Sequence, residues 1–293
     1  MPKGLREIRN RIKSVKTTGQ ITRTMQLVAA SKMKRAQDSA RSSRAYAELL
    51  GEILDTAAAK VGEFTHPLLT KRAVKTRGIL LVTPDKGMAG ALNGNLIRLA
   101  AEQQDALFVC IGKKGIQALA RSGRQILAEF PVTDRANFNE VRPAAEYLLK
   151  AFSEGKVDTV EVIFAHFQNT MVQPIRLQQL LPADSLIVQA REFRTKLGLP
   201  EPKIEEDERD MIFEPSPTEI LNQLPALFFK QAVYQAVLES KASEFSARMV
   251  AMKAATDNAK KIAEALSLEY NKARQAAITQ EILELTAGAA SQS

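Results

Sequence analysis

Leu224, Phe228, Gln231, Gln235, Leu238, Ala242, Phe245, Met249, Met252, Thr256, Ala259, Ala263, Leu266, Tyr270, Ala273 and Ala277 follow one another in unbroken four-three alternation. That spacing is the seam of a coiled coil. Much of it is Ala or polar, so it is weakly hydrophobic but lets two backbones approach closely. From Ser216 to Ala287 there is no Gly, and Pro occurs only at 217 and 225. Ser216-Pro217-Thr218-Glu219 has the form of a capping box with Pro at the first helical position. Pro225 leaves two alternatives, a start near Asn222 or a bend. Gly288 reads as the C-terminal stop. About 70 helical residues at ~1.5 Å each make a rod of roughly 100 Å. A compact chain of 293 residues has a diameter of only roughly 50 Å. The helix is therefore expected to outreach any globule the chain can make.

The partner for such a helix lies at the other end of the chain. Leu5, Ile8, Ile12 and Val15 form an amphipathic stripe. Lys16-Thr17-Thr18-Gly19 holds poor helix formers and reads as a weak point or kink. Ile21, Met25 and Val28 resume the stripe, which continues through Met33, Ala36 and Ala40. Pairing the two ends gives an antiparallel two-helix coiled coil. Between them, strand-like runs alternate with helix-like ones. The strands are Gly78–Thr83, Leu107–Ile111, Gln125–Phe130, Thr159–Phe167 and Ile175–Leu181, the last two read as a hairpin across Gln168-Asn169-Thr170. Helices are expected over Leu92–Gln103, Lys114–Arg121 and Arg142–Phe152. This order implies a largely parallel, Rossmann-like sheet with covering helices. The fold class expected is α/β with long helices: a coiled-coil helix over 1–60, an α/β domain over 75–190, a polar connector over 191–214 and a coiled-coil helix over 215–287.

Charge is unevenly placed. The chain carries +8 overall, and residues 1–50 hold twelve Lys/Arg against three acids, leaving the remainder close to neutral. A basic helix suits nucleic acid, a membrane surface or an acidic protein. Taken alone, it reads as a solvated charged face. The single cysteine, Cys110, excludes an internal disulfide and reads as a small buried hydrophobe. No apolar run approaches the ~18–20 residues that span a bilayer. The basic N-terminus continues into an ordered-looking helix and reads as mature protein. The turn Gly87-x-x-Gly90-x-x-x-Gly94 matches neither the dinucleotide nor the P-loop pattern, and reads as a strand-to-helix turn. His66 and His166 are too few and too separated for a metal site. No nucleophile motif is present. No cofactor is expected.

At both ends the residues resemble a known family. Ile8-Arg9-Asn10-Arg11-Ile12-Lys13-Ser14-Val15, Gln20-Ile21-Thr22-Arg23-Thr24-Met25 and Val28-Ala29-Ala30-Ser31-Lys32-Met33 resemble the opening of the gamma subunits of F-type ATP synthases. So do Ala247-Arg248-Met249-Val250-Ala251-Met252-Lys253-Ala254-Ala255-Thr256-Asp257-Asn258-Ala259 and Asn271-Lys272-Ala273-Arg274-Gln275-Ala276-Ala277-Ile278-Thr279-Gln280-Glu281-Ile282. In the middle, Asp85-Lys86-Gly87-Met88-Ala89-Gly90-Ala91-Leu92-Asn93 is similar, with Met88 and Ala89 where the family has Leu and Cys. The resemblance implies a non-catalytic rotor shaft seated in a ring of three alpha and three beta subunits, its globular part touching the epsilon subunit and the c-ring. Membrane association would come only through that complex, at the cytoplasmic face of a bacterial inner membrane. By family matching, Arg9, Lys16, Arg23, Met25, Lys32, Arg274, Gln275 and Thr279 are expected to face the beta subunits. Ile278, Ile282 and Leu285 would form an apolar bearing tip, and Glu208, Arg209 and Asp210 a rotor foot. The rival readings are a basic coiled-coil protein that binds nucleic acid, and a nucleotide-dependent enzyme built on the α/β insert. The first predicts steeply salt-dependent DNA affinity.

Overall fold

The computed structural model describes residues 3–61, 66–182, 214 and 216–290. Its elements run α1 (Lys3–Val61), β1 (Arg77–Val82), α2 (Leu92–Glu102), β2 (Ala106–Ile111), α3 (Lys113–Arg121), β3 (Ile126–Phe130), α4 (Phe138–Ser153), β4 (Thr159–Ala165), β5 (Ile175–Leu181) and α5 (Pro217–Ala290). They fall into two compact units: Met1–Ala30 with Arg248–Ser293, and Ser31–Ala247.

The first unit is a helix pair. Thr22 and Thr256 share a hydrogen bond at 2.8 Å. A Cβ added at Gly19 would lie 3.3 Å from the Cβ of Ala259. Moving three residues back on α1 moves three forward on α5, so the helices run antiparallel. The buried and half-buried positions keep the four-three period on both: Leu5, Ile8, Ile12, Val15, Gly19, Thr22, Gln26 and Ala29 on α1; Met252, Thr256, Ala259, Ala263, Leu266, Tyr270, Ala273 and Ala277 on α5. The helix runs through Lys16–Gly19 without a break, and Gly19 sits on the seam, close against Ala259. One expectation is corrected. Ile21 and Val28 do not resume the stripe; they are 55% and 50% exposed.

The second unit is a five-stranded sheet in the order β3-β2-β1-β4-β5. β1 pairs parallel with β2 and β4, β2 parallel with β3, and β4 antiparallel with β5. Successive strand side chains point to opposite faces, so β1 feeds two cores. Leu80 and Val82 pack with Val109, Val160, Leu148 of α4 and Phe229, Val233 and Val237 of α5. Ile79 and Leu81 pack with Phe108, Cys110, Ile163 and the buried faces of α2 and α3. Helix α4 begins at Phe138, four residues before the expected start, and carries Pro143 within its second turn. Helix α5 begins at Pro217, where Ser216 Oγ accepts the Glu219 N–H at 3.3 Å. It continues through Pro225 and Gly288, so Gly288 is not its stop. Of the expected connector over 191–214, residues 191–213 lie outside the described residues.

Candidate functional site

The turn after β1 shows how little of the insert is built for a ligand. Thr83 closes it: its N–H and its hydroxyl both donate to the Ile111 carbonyl, and its Oγ accepts the Gly115 N–H at 2.8 Å. Gly112 takes φ +96, and a Cβ there would fall 1.8 Å from the Thr83 carbonyl oxygen, so only Gly fits. Asp85 accepts the Lys113 N–H, which satisfies the start of α3. In the Gly87–Gly94 run, Met88 and Gly90 take positive φ of 61 and 59 to turn the chain into α2.

In a doubly wound sheet the ligand crevice opens at the carboxyl ends of the strands where the order reverses, here between β1 and β4. Helix α5 lies against the carboxyl end of β4. Ser243 Oγ donates to the Ala165 carbonyl at 2.9 Å. His166 Nδ1 lies 2.6 Å from Glu239 Oε2, whose other oxygen accepts from Gln235 Nε2 at 3.1 Å. Ser246 Oγ donates to the Thr170 carbonyl at 2.8 Å. Alongside, Phe245 and Ala242 pack with Ala36, Met33 and Phe167. Among the described residues no group of three His, Cys, Asp or Glu could hold a metal ion. Burial pushes the Cys110 thiol up to about 12, which makes it an inert core residue.

Of the residues expected at an interface, Arg9, Lys16 and Arg23 lie exposed on α1. Their seven-residue spacing puts them in one line beside the seam. Met25 is half-buried. Lys32 belongs to the second unit: its Nζ donates to Asp134 Oδ2 and lies 5.7 Å from the Phe245 ring centroid. Burial raises the Asp134 carboxyl, but the hydrogen bond and charge of Lys32 outweigh it and leave the group below its ordinary value.

Arg274, Gln275 and Thr279 are exposed on α5, with Thr279 Oγ1 donating to the Gln275 carbonyl. The register that sets Gly19 against Ala259 brings Lys3, the first described residue of α1, level with about residue 275. The last turns of α5 thus run past the described start of α1. They carry Ile278 at 47%, Ile282 at 54% and Leu283 at 57% exposure. Leu285 lies in the same helix, with its side chain outside the description, and Glu208, Arg209 and Asp210 lie outside the described residues altogether.

Sequence reasoning missed the polar stripe Gln235-Glu239-Ser243-Ser246. Its only signal is that Glu239, Ser243 and Ser246 each stand one position beyond Leu238, Ala242 and Phe245 of the seam, with Gln235 itself a seam position.

These features define a class: a two-helix coiled-coil protein carrying an inserted doubly wound domain, with apolar surface left uncovered on its helices. Comparison with known proteins gives the family. Residues 4–291 match the sequence profile of the ATP synthase family. The ATP synthase gamma chain of Opitutus terrae is 51% identical over 283 residues, covering 96% of each chain. That of Cupriavidus necator is 41% identical over 298 residues, covering 98% of this chain and 99% of its own. Among solved structures, a chain of the central stalk and c-ring of the Tetrahymena thermophila mitochondrial ATP synthase matches with a TM-score of 0.56 at 25% identity, over 80% of this chain and 99% of that one. A chain of the Euglena gracilis mitochondrial ATP synthase, in its OSCP, F1 and c-ring assembly, matches with a TM-score of 0.66 at 20% identity over 100% and 95%. This last likeness speaks to the fold. The chain belongs to the ATP synthase gamma-chain family.

Proposed function

We propose that this chain is the central rotor shaft of an F-type ATP synthase. It couples proton-driven rotation of a c-ring to ATP synthesis at catalytic sites on surrounding alpha and beta subunits. The observation that carries the reading, beside family membership, is the end of α5, where Ile278, Ile282 and Leu283 stand exposed beyond the described start of α1. Contiguous apolar surface of this kind marks an interface. Hydrophobic contact is non-directional, so a sleeve of three alpha and three beta subunits can hold that tip, Leu285 included, at every angle. The comparisons lend no support to a nucleic-acid-binding coiled coil.

The chain acts without catalysing. The contact of helix α5 with the carboxyl end of β4, beside the place where a doubly wound enzyme would bind its ligand, supports this. Arg9, Lys16, Arg23, Met25, Arg274, Gln275 and Thr279 face the beta subunits, and Lys32 joins them with its ammonium engaged on Asp134. Exposed ion pairs are worth only ~0–1 kcal/mol each, so many of them hold a turning shaft without a deep angular trap. The globular part meets the epsilon subunit and the c-ring, with Glu208, Arg209 and Asp210 as the foot. No helix among the described residues is long and apolar enough to cross a membrane. Attachment is peripheral, through the complex, at the cytoplasmic face of a bacterial inner membrane.

The experiment is single-molecule rotation of a bead fixed to this chain in a complex with alpha and beta subunits. ATP should drive rotation, and neutralising Lys16 or Arg23 singly should leave it running. A correctly assembled complex that hydrolyses ATP with a stationary bead would overturn the reading.

A further inference from the structure

Along helix α5, from Gln231 to Ser246, buried side chains of two kinds run side by side. Leu238, Ala242 and Phe245 are apolar, the last two packing with Ala36 and Met33 of α1. One position further round, Glu239, Ser243 and Ser246 are polar and equally buried, at 8%, 0% and 0% exposure. All three reach one place in the α/β domain, the carboxyl end of β4 and the turn after it. Glu239 meets His166, Ser243 meets the Ala165 carbonyl and Ser246 meets the Thr170 carbonyl. The receiving turn is itself braced. Asn169 Oδ1 accepts the N–H groups of Met171 and Val172, and Gln173 Nε2 donates to the Asn169 and Thr170 carbonyls.

Hydrophobic contact is non-directional. Hydrogen bonds are directional and fail beyond about 3.5 Å. A buried polar group that slips off its acceptor forfeits its desolvation as well. Three such bonds on successive turns, all to one strand end, fix both the rotation and the axial position of α5 against the sheet.

We propose that Glu239, Ser243 and Ser246, received by His166, Ala165 and Thr170, form a clasp that locks helix α5 to the α/β domain so that torque passes between them without slip. The proposal rests on the rotor reading. Glu239, Ser243 and Ser246 are positioning residues: they touch no nucleotide and act by holding the helix.

The test uses the whole complex in membrane vesicles, measuring ATP hydrolysis and ATP-driven proton pumping together. A Glu239→Leu, Ser243→Val variant should hydrolyse ATP at close to the wild-type rate while protons pumped per ATP fall about threefold or more. Glu239→Gln, which keeps an acceptor for His166, should restore the ratio. A merely structural role would lower hydrolysis and pumping in proportion, and that outcome overturns the proposal. So does an unchanged ratio in the double variant. Where the double variant fails to assemble, Ser243→Ala alone decides: the ratio should drop as the proton gradient builds, and a ratio equal to wild type against the full gradient overturns the clasp. A wild-type complex that hydrolyses without pumping would sink the rotor reading itself. The clasp has its own readout in the full-length chain alone, where the double variant should speed amide hydrogen exchange across residues 166–174. Unchanged exchange there overturns it whatever the complex does.

Discussion

Helix α5 packs in two different ways along one continuous length. From Met252 to Ala277 it meets α1 through small or weakly apolar residues, with Gly19 close against Ala259 and a single hydroxyl pair, Thr22 with Thr256. From Leu221 to Ser246 it is buried on several sides by aromatic, aliphatic and hydrogen-bonding side chains. The first kind of contact brings backbones together but gains little area per residue. The second gains area and fixes geometry. One helix can thus be lightly held in one part and firmly gripped in another, and the four-three period alone does not tell the two apart.

That contrast can be broken at its strong end first. Phe245→Ala empties a fully buried aromatic site and should destabilise the chain by about 3–5 kcal/mol, read as a lowered midpoint in denaturant. A loss below about 1 kcal/mol would erase the distinction. At the weak end, Gly19→Leu forces a large side chain against Ala259 and should cost about 1–3 kcal/mol by overpacking. Gly19→Ala should be nearly neutral, since crowding at 3.3 Å offsets a helix-propensity gain of about 1 kcal/mol. Thr22→Val should cost less than Gly19→Leu, about 0.5–1 kcal/mol, because Thr256 Oγ1 keeps its bond to the Met252 carbonyl.

Two smaller effects sharpen the picture of the gripped unit. Asp158 accepts the N–H groups of Thr76 and Lys75, which hold its carboxyl below its ordinary value. A depressed carboxyl stabilises the fold above its unfolded pKa and loses that effect as pH falls through the folded one. The melting difference between wild type and Asp158→Asn should therefore be constant near neutrality and vanish in strong acid. Cys110, pushed up to about 12 and fully buried, should resist thiol reagents at pH 8 in the native protein and react once it is unfolded.

Much of this was legible in the sequence, for a physical reason. A seam on α5 repeats locally, and each of its sixteen positions from Leu224 to Ala277 is buried or half-buried in the structure. The α1 seam was harder. Its heptad positions hold Gly19, Thr22 and Gln26, while apolar character drew attention to Ile21 and Val28, which point elsewhere. The largely parallel sheet and its closing hairpin followed from alternation, but the start of α4 did not, because Pro143 usually marks a beginning and here lies within the second turn. The clasp was invisible. Its bonds join residues 73 to 78 positions apart, and a polar residue on an amphipathic helix ordinarily faces water. The exposed cations Arg9, Lys16 and Arg23 were legible from composition only as charge.

The hydroxyl pair of Thr22 and Thr256 joins residues 234 positions apart, and this has a consequence during synthesis. A ribosome adds about 5–20 residues per second, so the nascent first helix waits some ten to fifty seconds before its partner emerges. Through that interval the stripe from Leu5 to Ala29 has no α5 to rest on. The first helix of this protein should therefore be a client of cellular chaperones, released only when the last part of the message is read.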